Sequence, residues 1–267
     1  MGTHPTARAG GGELVEPGFR AFGAGRYGEE GRAWIARLPE LTAVLAARWR
    51  LELGPELPGG LLACVRAVAR RDGGEAVLKL GFAPRTTDEI RALTVWAGRG
   101  APRLLEADET LCALLLERIR PGTHPAAAPA AGVAAVLAAL RVEPPAGLPT
   151  LAAIVRERLD QAVADGRATE ATVNWARAKL TELERDAPAA VLLHGDLDER
   201  NLLACGRRGL CAIDPSPCAG DPAYDAGFWV HGNRRPGRRA RLDAIVAAGG
   251  LARERVRDWA AIVGVHG

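Results

Sequence analysis

Cysteine is scarce in this chain and follows no pairing pattern. The five residues, Cys64, Cys112, Cys205, Cys211 and Cys218, are odd in number and contain no CxxC spacing. This excludes a disulfide scaffold and the common zinc patterns, and leaves reduced, mostly buried thiols as the expectation. Long apolar runs are also missing: none approaches the ~18 residues that a membrane-spanning helix needs. The opening stretch MGTHPTARAGGGELVEPG has no apolar core and so is not a secretory signal. Residues 1–27 are expected to be a flexible leader, and the cytoplasm is the default location. Charge of one sign is lacking too. A net charge of +3 argues against nucleic acid or membrane as partner. The basic cluster Arg234, Arg235, Arg238, Arg239 and Arg241 has no interleaved aromatics and is expected to be a solvated face.

What is present is ordinary for a globular protein, with 48% apolar and 25% charged residues, so disorder is not expected. Apolar residues recur at helical spacing from Trp34 to Trp49, with Pro39 expected to break the run into two helices. Strand patterns follow at residues 50–57, 61–69 and 75–80, the last two joined by the turn Asp72-Gly73-Gly74. A helix from Asp88 to Gly98 precedes two further extended runs, residues 102–105 and 111–119. Beyond Arg120-Pro121-Gly122 the pattern turns helical, at residues 131–140, 151–165 and 170–185, and again in a tail from about Asp221. A sheet part followed by a helical part predicts an α+β chain in two lobes, residues 28–120 and 121–267.

The segment from Val191 to Asp225 carries the chemistry. Asp196 stands five residues before Asn201, and Asp214 closes an apolar run after a strand-turn-strand pattern. Phosphoryl transfer needs this set: a carboxylate to orient a hydroxyl and take its proton, then an amide oxygen and a second carboxylate as hard ligands for Mg²⁺. His-Gly-Asp-x4-Asn followed by Ile-Asp is the kinase catalytic-loop layout, with HGD in place of HRD. The sheet part supplies the rest. Lys79 lies mid-strand in EAVLKL, where a lone cation suits the α- and β-phosphates of ATP, and Glu89 on the next helix is its natural partner. Gly59-Gly60 lie in the turn expected to cover the phosphates with backbone N–H groups. The run Leu116-Glu117-Arg118-Ile119 joins the two parts, and its backbone is the expected adenine hinge, with Glu117 and Ile119 as contacts. A literal GxGxxG at Gly23, Gly25 and Gly28 lacks the preceding strand of a dinucleotide site and is expected to be a flexible entry to the first helix.

The strings HGDLDERNLL, AIDPSPCAGDPAYD, AVLKL and ALLLERIRPG resemble the aminoglycoside phosphotransferase family, in its streptomycin/hydroxyurea kinase-like branch. The resemblance runs from about Gly28 to Trp259 and implies a two-lobed, protein-kinase-like fold with ATP in its cleft. It assigns Asp196 as catalytic base, Asn201 and Asp214 as magnesium ligands, Lys79 as phosphate-binding residue and Glu89 as its mate. It makes His194 a brace of the loop and Asp221 an anchor of backbone beside it.

The activity implied is inactivation of an antibiotic by phosphorylation of a hydroxyl. The candidate acceptors are streptomycin-like aminoglycosides, hydroxyurea, and cationic peptides such as viomycin or capreomycin. A kinase of a small alcohol (choline, homoserine or an amino-sugar) and a nucleotide-binding pseudokinase are the alternatives, although a pseudokinase usually lacks the Asp, Asn or Lys that all stand here. Asp198 and Glu199 beside the base have no helix to cap in an extended reading of the loop. They are therefore expected to bind a cationic acceptor.

Overall fold

The computed structural model describes residues 17–57, 63–82, 85–232 and 237–266, with the backbone alone for 17–27. Helix α1 (Pro17–Trp49) corrects two expectations. It continues through Pro39, and the break falls instead at Gly28, whose φ 56° and ψ −133° kink the chain between two helical segments. The buried stripe Ile35, Leu38, Leu41 and Leu45 spans the proline, and Pro39 itself is exposed. Packing on that stripe holds the helix where the lost N–H alone would favour a break. The second correction is that Gly23 and Gly25 lie within α1, so residues 17–27 are helical rather than a flexible leader.

Strands β1 (Leu51–Glu56), β2 (Cys64–Arg70) and β3 (Glu75–Leu80) follow, paired antiparallel. Pro55 is tolerated because β1 is an edge strand with a register shift between Leu53 and Glu56. The turn between β2 and β3 forms as its residues demand: Gly73 takes φ 81°, and the Gly74 N–H donates to Asp72 Oδ1 at 3.0 Å. Helix α2 (Arg85–Trp96) leads to β4 (Leu104–Asp108) and β5 (Ala113–Glu117), giving a five-stranded sheet in the order β1-β2-β3-β5-β4.

The remainder comprises α3 (Ala130–Leu140), α4 (Leu151–Ala164), α5 (Glu170–Arg185), α6 (Tyr224–Gly232), α7 (Arg238–Gly249) and α8 (Arg253–His266). Thr150 and Thr169 cap α4 and α5, each accepting a backbone N–H at 3.2 Å. Between α5 and α6 run the short strands β6 (Val191–Leu193), β7 (Leu202–Ala204), β8 (Leu210–Ala212) and β9 (Cys218–Gly220), paired β6 with β9 and β7 with β8. All five cysteines are free thiols, and four are buried.

The chain divides into two compact units, Met1–Ala83 with Asp108–Leu115 and Pro84–Ala107 with Leu116–Gly267. A single cut after residue 120 does not describe this division, because α2 belongs with the second unit. The cause is Trp96, fully buried, whose indole N–H donates to the Leu140 carbonyl at 2.9 Å. Local pattern reports element type, whereas compactness follows the apolar surface each element buries.

In the second unit α6 packs against α8, and the carboxylate of Asp221 joins the start of α6 to α8. Asp221 Oδ2 accepts from Arg255 at 2.5 and 2.8 Å and from the Trp259 indole N–H at 2.7 Å, while Oδ1 accepts the Ala223 N–H at 2.9 Å. Asp221 therefore anchors a helix, not the His194–Asn201 loop. Removing one partner of such a buried pair leaves the others unpaired, at a cost on the order of 3 kcal/mol. Asp221→Ala is expected to lower the thermal midpoint clearly in a melt followed by circular dichroism, whereas Asp243→Ala on the exposed face of α7 leaves it unchanged.

Candidate active site

The loop from His194 to Asn201 joins β6 to β7, and its first three residues are held by every backbone polar group they have. Asp225, on α6, accepts the N–H of His194 on Oδ2 at 2.7 Å and that of Gly195 on Oδ1 at 2.9 Å. The His194 carbonyl accepts the Ser216 N–H at 2.8 Å. Both terminal nitrogens of Arg158, from α4, donate to the Gly195 carbonyl at 3.2 Å. The Asp196 N–H donates to His194 Nδ1 at 3.3 Å, and the Asp196 carbonyl accepts from Asn201 Nδ2 at 2.7 Å. Gly195 takes φ 78°, and a Cβ there would sit 1.9 Å from the Ser216 carbonyl oxygen, so only glycine fits.

His194 is wholly buried and braces the loop, as its position implied. Nδ1 accepts from Asp196, so the proton sits on Nε2, which donates to the Ile213 carbonyl at 2.9 Å. Burial pulls its pKa down to about 4, so the ring is neutral near pH 7. Burial pushes the Asp196 carboxyl up to about 6, opposed by the positive charges of Arg158 and Arg85 and reinforced by Asp198 and Asp214. A carboxylate poised there is ionised at neutral pH yet more basic than a free aspartate, which suits a general base. Burial likewise raises Asp225 to about 6, against the two N–H groups it accepts.

Asn201 and Asp214 fit a hard divalent cation. The Ile213 N–H donates to the Asn201 carbonyl at 2.9 Å, extending the β7–β8 pairing, so the two residues share one end of that hairpin. Asn201 gives its amide N–H₂ to Asp196, at 2.7 Å to the carbonyl and 3.2 Å to Oδ2, which leaves its amide oxygen as the donor for an ion. Asp214 is held at φ 54°, uncommon for a residue with a side chain, and its carboxylate is half-exposed. Among the described residues no three His, Cys, Asp or Glu gather as an ion cage. Mg²⁺ at phosphate sites takes one or two protein groups and completes its shell from phosphates and water, so two donors suffice.

The expectation for Asp198 and Glu199 rested on a loop with nothing to cap, and the structure corrects it. Residues Glu199–Asn201 form a short 3-10 turn capped by Asp198, which accepts the Arg200 N–H at 2.7 Å. The same carboxylate, 3% exposed, pairs with the Arg200 guanidinium at 2.5 Å. Glu199 pairs with Arg241 at 3.2 Å, and Arg241 lies 3.9 Å over the Trp229 ring. Arg241 is thus half-buried structure, not part of a solvated basic face, while Arg234 and Arg235 lie outside the described residues.

The other expected contacts are distributed as follows. Lys79 is buried on β3 opposite Val65, and Glu89 is buried on α2; they belong to different compact units. Gly59 and Gly60 lie outside the described residues. Glu117 is committed in both backbone and side chain: its N–H donates to the Arg103 carbonyl at 2.9 Å, and its carboxylate takes Arg208 at 2.6 Å. Ile119 is buried beside Cys205 and Cys211. Three site residues escaped the sequence reading: Arg158, Asp225, and Arg85 at the start of α2, which lies 3.7 Å from Asp214 and 3.4 Å from Ser216 Oγ.

Comparison with known proteins bears on this geometry. Residues 48–267 match the family model described as aminoglycoside/hydroxyurea antibiotic resistance kinase. The chain belongs to this kinase family. A streptomycin 6-kinase of Streptomyces glaucescens is 39% identical over 88% of this chain and 77% of that protein. A hydroxyurea phosphotransferase of Kitasatospora aureofaciens is 37% identical over 92% and 75%. Among solved structures, a choline/ethanolamine kinase family protein from Mesorhizobium loti aligns with TM-score 0.64 at 17% identity, over 84% of this chain and 83% of that one. A macrolide 2'-phosphotransferase from Brachybacterium faecium aligns with 0.59 at 24%, over 84% and 89%. The fold is the α+β, protein-kinase-like fold of these enzymes. The chain is an ATP-dependent phosphotransferase with an alcohol group as acceptor.

Gly195 is the tightest test of the kinase's loop geometry. Gly195→Ala must displace the Ser216 backbone or the loop, and a shift of about 1 Å at a reacting group can cost on the order of 10²-fold in rate. The expected result is a kcat lowered to that extent, measured by coupled ADP release, in a protein that still binds nucleotide by calorimetry.

Proposed function

We propose that this kinase inactivates an aminoglycoside of the streptomycin type by transferring the ATP γ-phosphate to one of its hydroxyls, with Asp196 as the base. What supports the reading is the fixed His194–Asp196 backbone, which sets a basic carboxylate beside Asn201. Asp196 orients the acceptor hydroxyl and takes its proton as the new O–P bond forms. The bond from the γ-phosphorus to its bridging oxygen breaks in the same transfer, and ADP leaves. Asn201 and Asp214 would hold Mg²⁺, which when bound neutralises the phosphate charge. Lys79, with Glu89 as its mate, is assigned to the α- and β-phosphates, Gly59-Gly60 to covering them, and the carbonyl side of Glu117–Ile119 to adenine.

The acceptor assignment follows the streptomycin 6-kinases of Streptomyces glaucescens and Streptomyces griseus, 39% and 36% identical. The Kitasatospora relative favours hydroxyurea as a second reading, so both belong in one panel, with viomycin and capreomycin beside them. Asp198, withdrawn into its pair with Arg200, is not carried forward as an acceptor contact. Glu199, partly exposed beside Arg241, remains the acid on the loop that a cation can reach.

Two outcomes test the reading. In a phosphorylation panel with mass detection, streptomycin gains one phosphate, and Asp196→Asn reduces that rate by roughly 10²–10⁴-fold. Near-wild-type rates in this variant reject the base. Asp214→Ala and Asn201→Ala are each expected to raise the Mg²⁺ concentration needed for half-maximal rate and to weaken Mg²⁺-dependent nucleotide binding in calorimetry. A transfer rate indifferent to EDTA overturns the metal assignment.

Cationic recognition carries its own signature. The KM for streptomycin should rise between 50 and 300 mM salt, because the screening length shortens to roughly 8 Å near physiological ionic strength. A KM indifferent to salt, or hydroxyurea as the preferred acceptor, removes the cationic assignment and leaves the chemistry at Asp196 intact.

A further inference from the structure

The geometry assigns Arg158 as a positioning residue for Asp196: from α4 it grips the Gly195 carbonyl and thereby sets where the Asp196 side chain stands. The inference rests on Asp196 as the base and goes beyond it, since no motif in the sequence singles out Arg158.

Four observations meet at this side chain. Both terminal nitrogens donate to the same carbonyl oxygen, that of Gly195, at 3.2 Å each. One of them also donates to the Tyr224 hydroxyl at 2.9 Å, which ties the guanidinium to α6. The guanidinium lies 6.0 Å from the centre of the Phe228 ring, a second hold from the same helix. Its charge also acts on the Asp196 carboxylate.

The peptide unit that follows Gly195 therefore runs from a guanidinium at its carbonyl to His194 Nδ1 at its N–H, the amide of Asp196 itself. The preceding unit presents its N–H to Asp225, whose neighbour on α6 is the tyrosine that holds Arg158. Asp225 and Arg158 thus pull on opposite sides of Gly195, a residue at φ 78° that has no side chain of its own to pack. With Asp225 the two preceding N–H groups are fixed, and the peptide plane carrying Asp196 is held at its N–H by the 3.3 Å bond to His194 Nδ1. The fork of Arg158 adds the second hold, at the carbonyl end of the same plane. Charge alone, delivered by a more distant cation, could not do this, because restraining a peptide plane needs directed bonds.

Among the described residues the hydrogen bonds of the Arg158 guanidinium go to the Gly195 carbonyl and the Tyr224 hydroxyl. It sits half-buried on α4 beside the buried Val155, Leu159 and Ala162. A cation drawn partly out of water is costly unless directed partners offset it. Its partners are the loop and the helix that carries Asp225.

The test is a double-mutant cycle in the full chain, with kcat for phosphorylation of whichever panel acceptor is turned over. Arg158→Met keeps the stem and removes the fork, and should lower kcat on the order of 30-fold, the KM for ATP staying within about twofold. Arg158→Lys should rescue less than about threefold of that loss, since one ammonium cannot replace the fork. In the Asp196→Asn background Arg158→Met should cost less than about threefold more, because a residue acting through Asp196 has nothing left to position.

Equal losses in both backgrounds, full rescue by lysine, or a wild-type kcat in Arg158→Met each overturn the inference. An active Asp196→Asn would reject the base itself, a result read separately from the Arg158 arm. Should Arg158→Met fold poorly, Tyr224→Phe removes one hold and leaves the carbonyl grip. It should lower kcat several-fold with the same non-additivity, and an additive loss there sinks the idea as well. Hydrogen exchange supplies a readout free of turnover: in Arg158→Lys the peptide spanning 193–197 should exchange faster, and unchanged protection there counts against the restraint.

Discussion

A buried peptide that cannot reach water must find its hydrogen bonds inside the protein, and the three residues His194, Gly195 and Asp196 show the consequence most fully. An unpaired buried N–H or carbonyl costs ~1–3 kcal/mol, so six backbone groups in a row set a demand that nearby water would otherwise meet. The demand is answered by a carboxylate from α6, a guanidinium from α4, an amide from the end of the loop, a ring nitrogen within it and a backbone N–H from Ser216. Each answer fixes an element. Helices α4 and α6 and the β7–β8 hairpin are held in register by bonds to one short turn, and the position of Asp196 follows from their agreement.

Much of this could be read from residue order, and the boundary between what could and what could not is physical. Asp196, Asn201 and Asp214 stand within nineteen residues of one another, and their chemistry demands these residue types, so local spacing exposes them. The strand carrying Lys79 and the Asp72-Gly73-Gly74 turn were legible for the same reason: a β-turn and an alternating run are local events.

Arg158 was hidden because its meaning is tertiary. Its one sequence signal is a charge on the apolar stripe of α4, four residues from Ala162 and three from Val155, where a snorkelling side chain gives an identical pattern. Asp225 sat in view within GDPAYD, but which of its two acids reaches the loop depends on where α6 begins. Tertiary packing also carried α1 through Pro39, and a 3-10 turn gave Asp198 the cap that an extended reading denied it. The case for an acidic acceptor surface weakened accordingly, since like charges that looked uncompensated had cations two and forty-two residues away.

The HGD layout in place of HRD has a steric cause in this chain. At position 195 the backbone is left-handed and the Ser216 carbonyl lies 1.9 Å from where a Cβ would be, so no cation can be carried there by the loop itself. Yet the surroundings of the loop are acidic: the charges of Asp198 and Asp214 bear on Asp196, that of Asp196 bears on Asp225, and burial already raises Asp196 and Asp225. The compensating charge has to arrive from outside. Arg200 takes up Asp198, Arg85 comes from the start of α2 toward Asp214, and Arg158 comes from α4 to the peptide of Gly195. Glycine at this position lets the Ser216 backbone approach closely enough to close the turn, while the guanidinium of a separate helix takes the carbonyl. A cation on a rigid helix is better fixed than one on the loop it restrains, because its own position does not depend on the loop being ordered first.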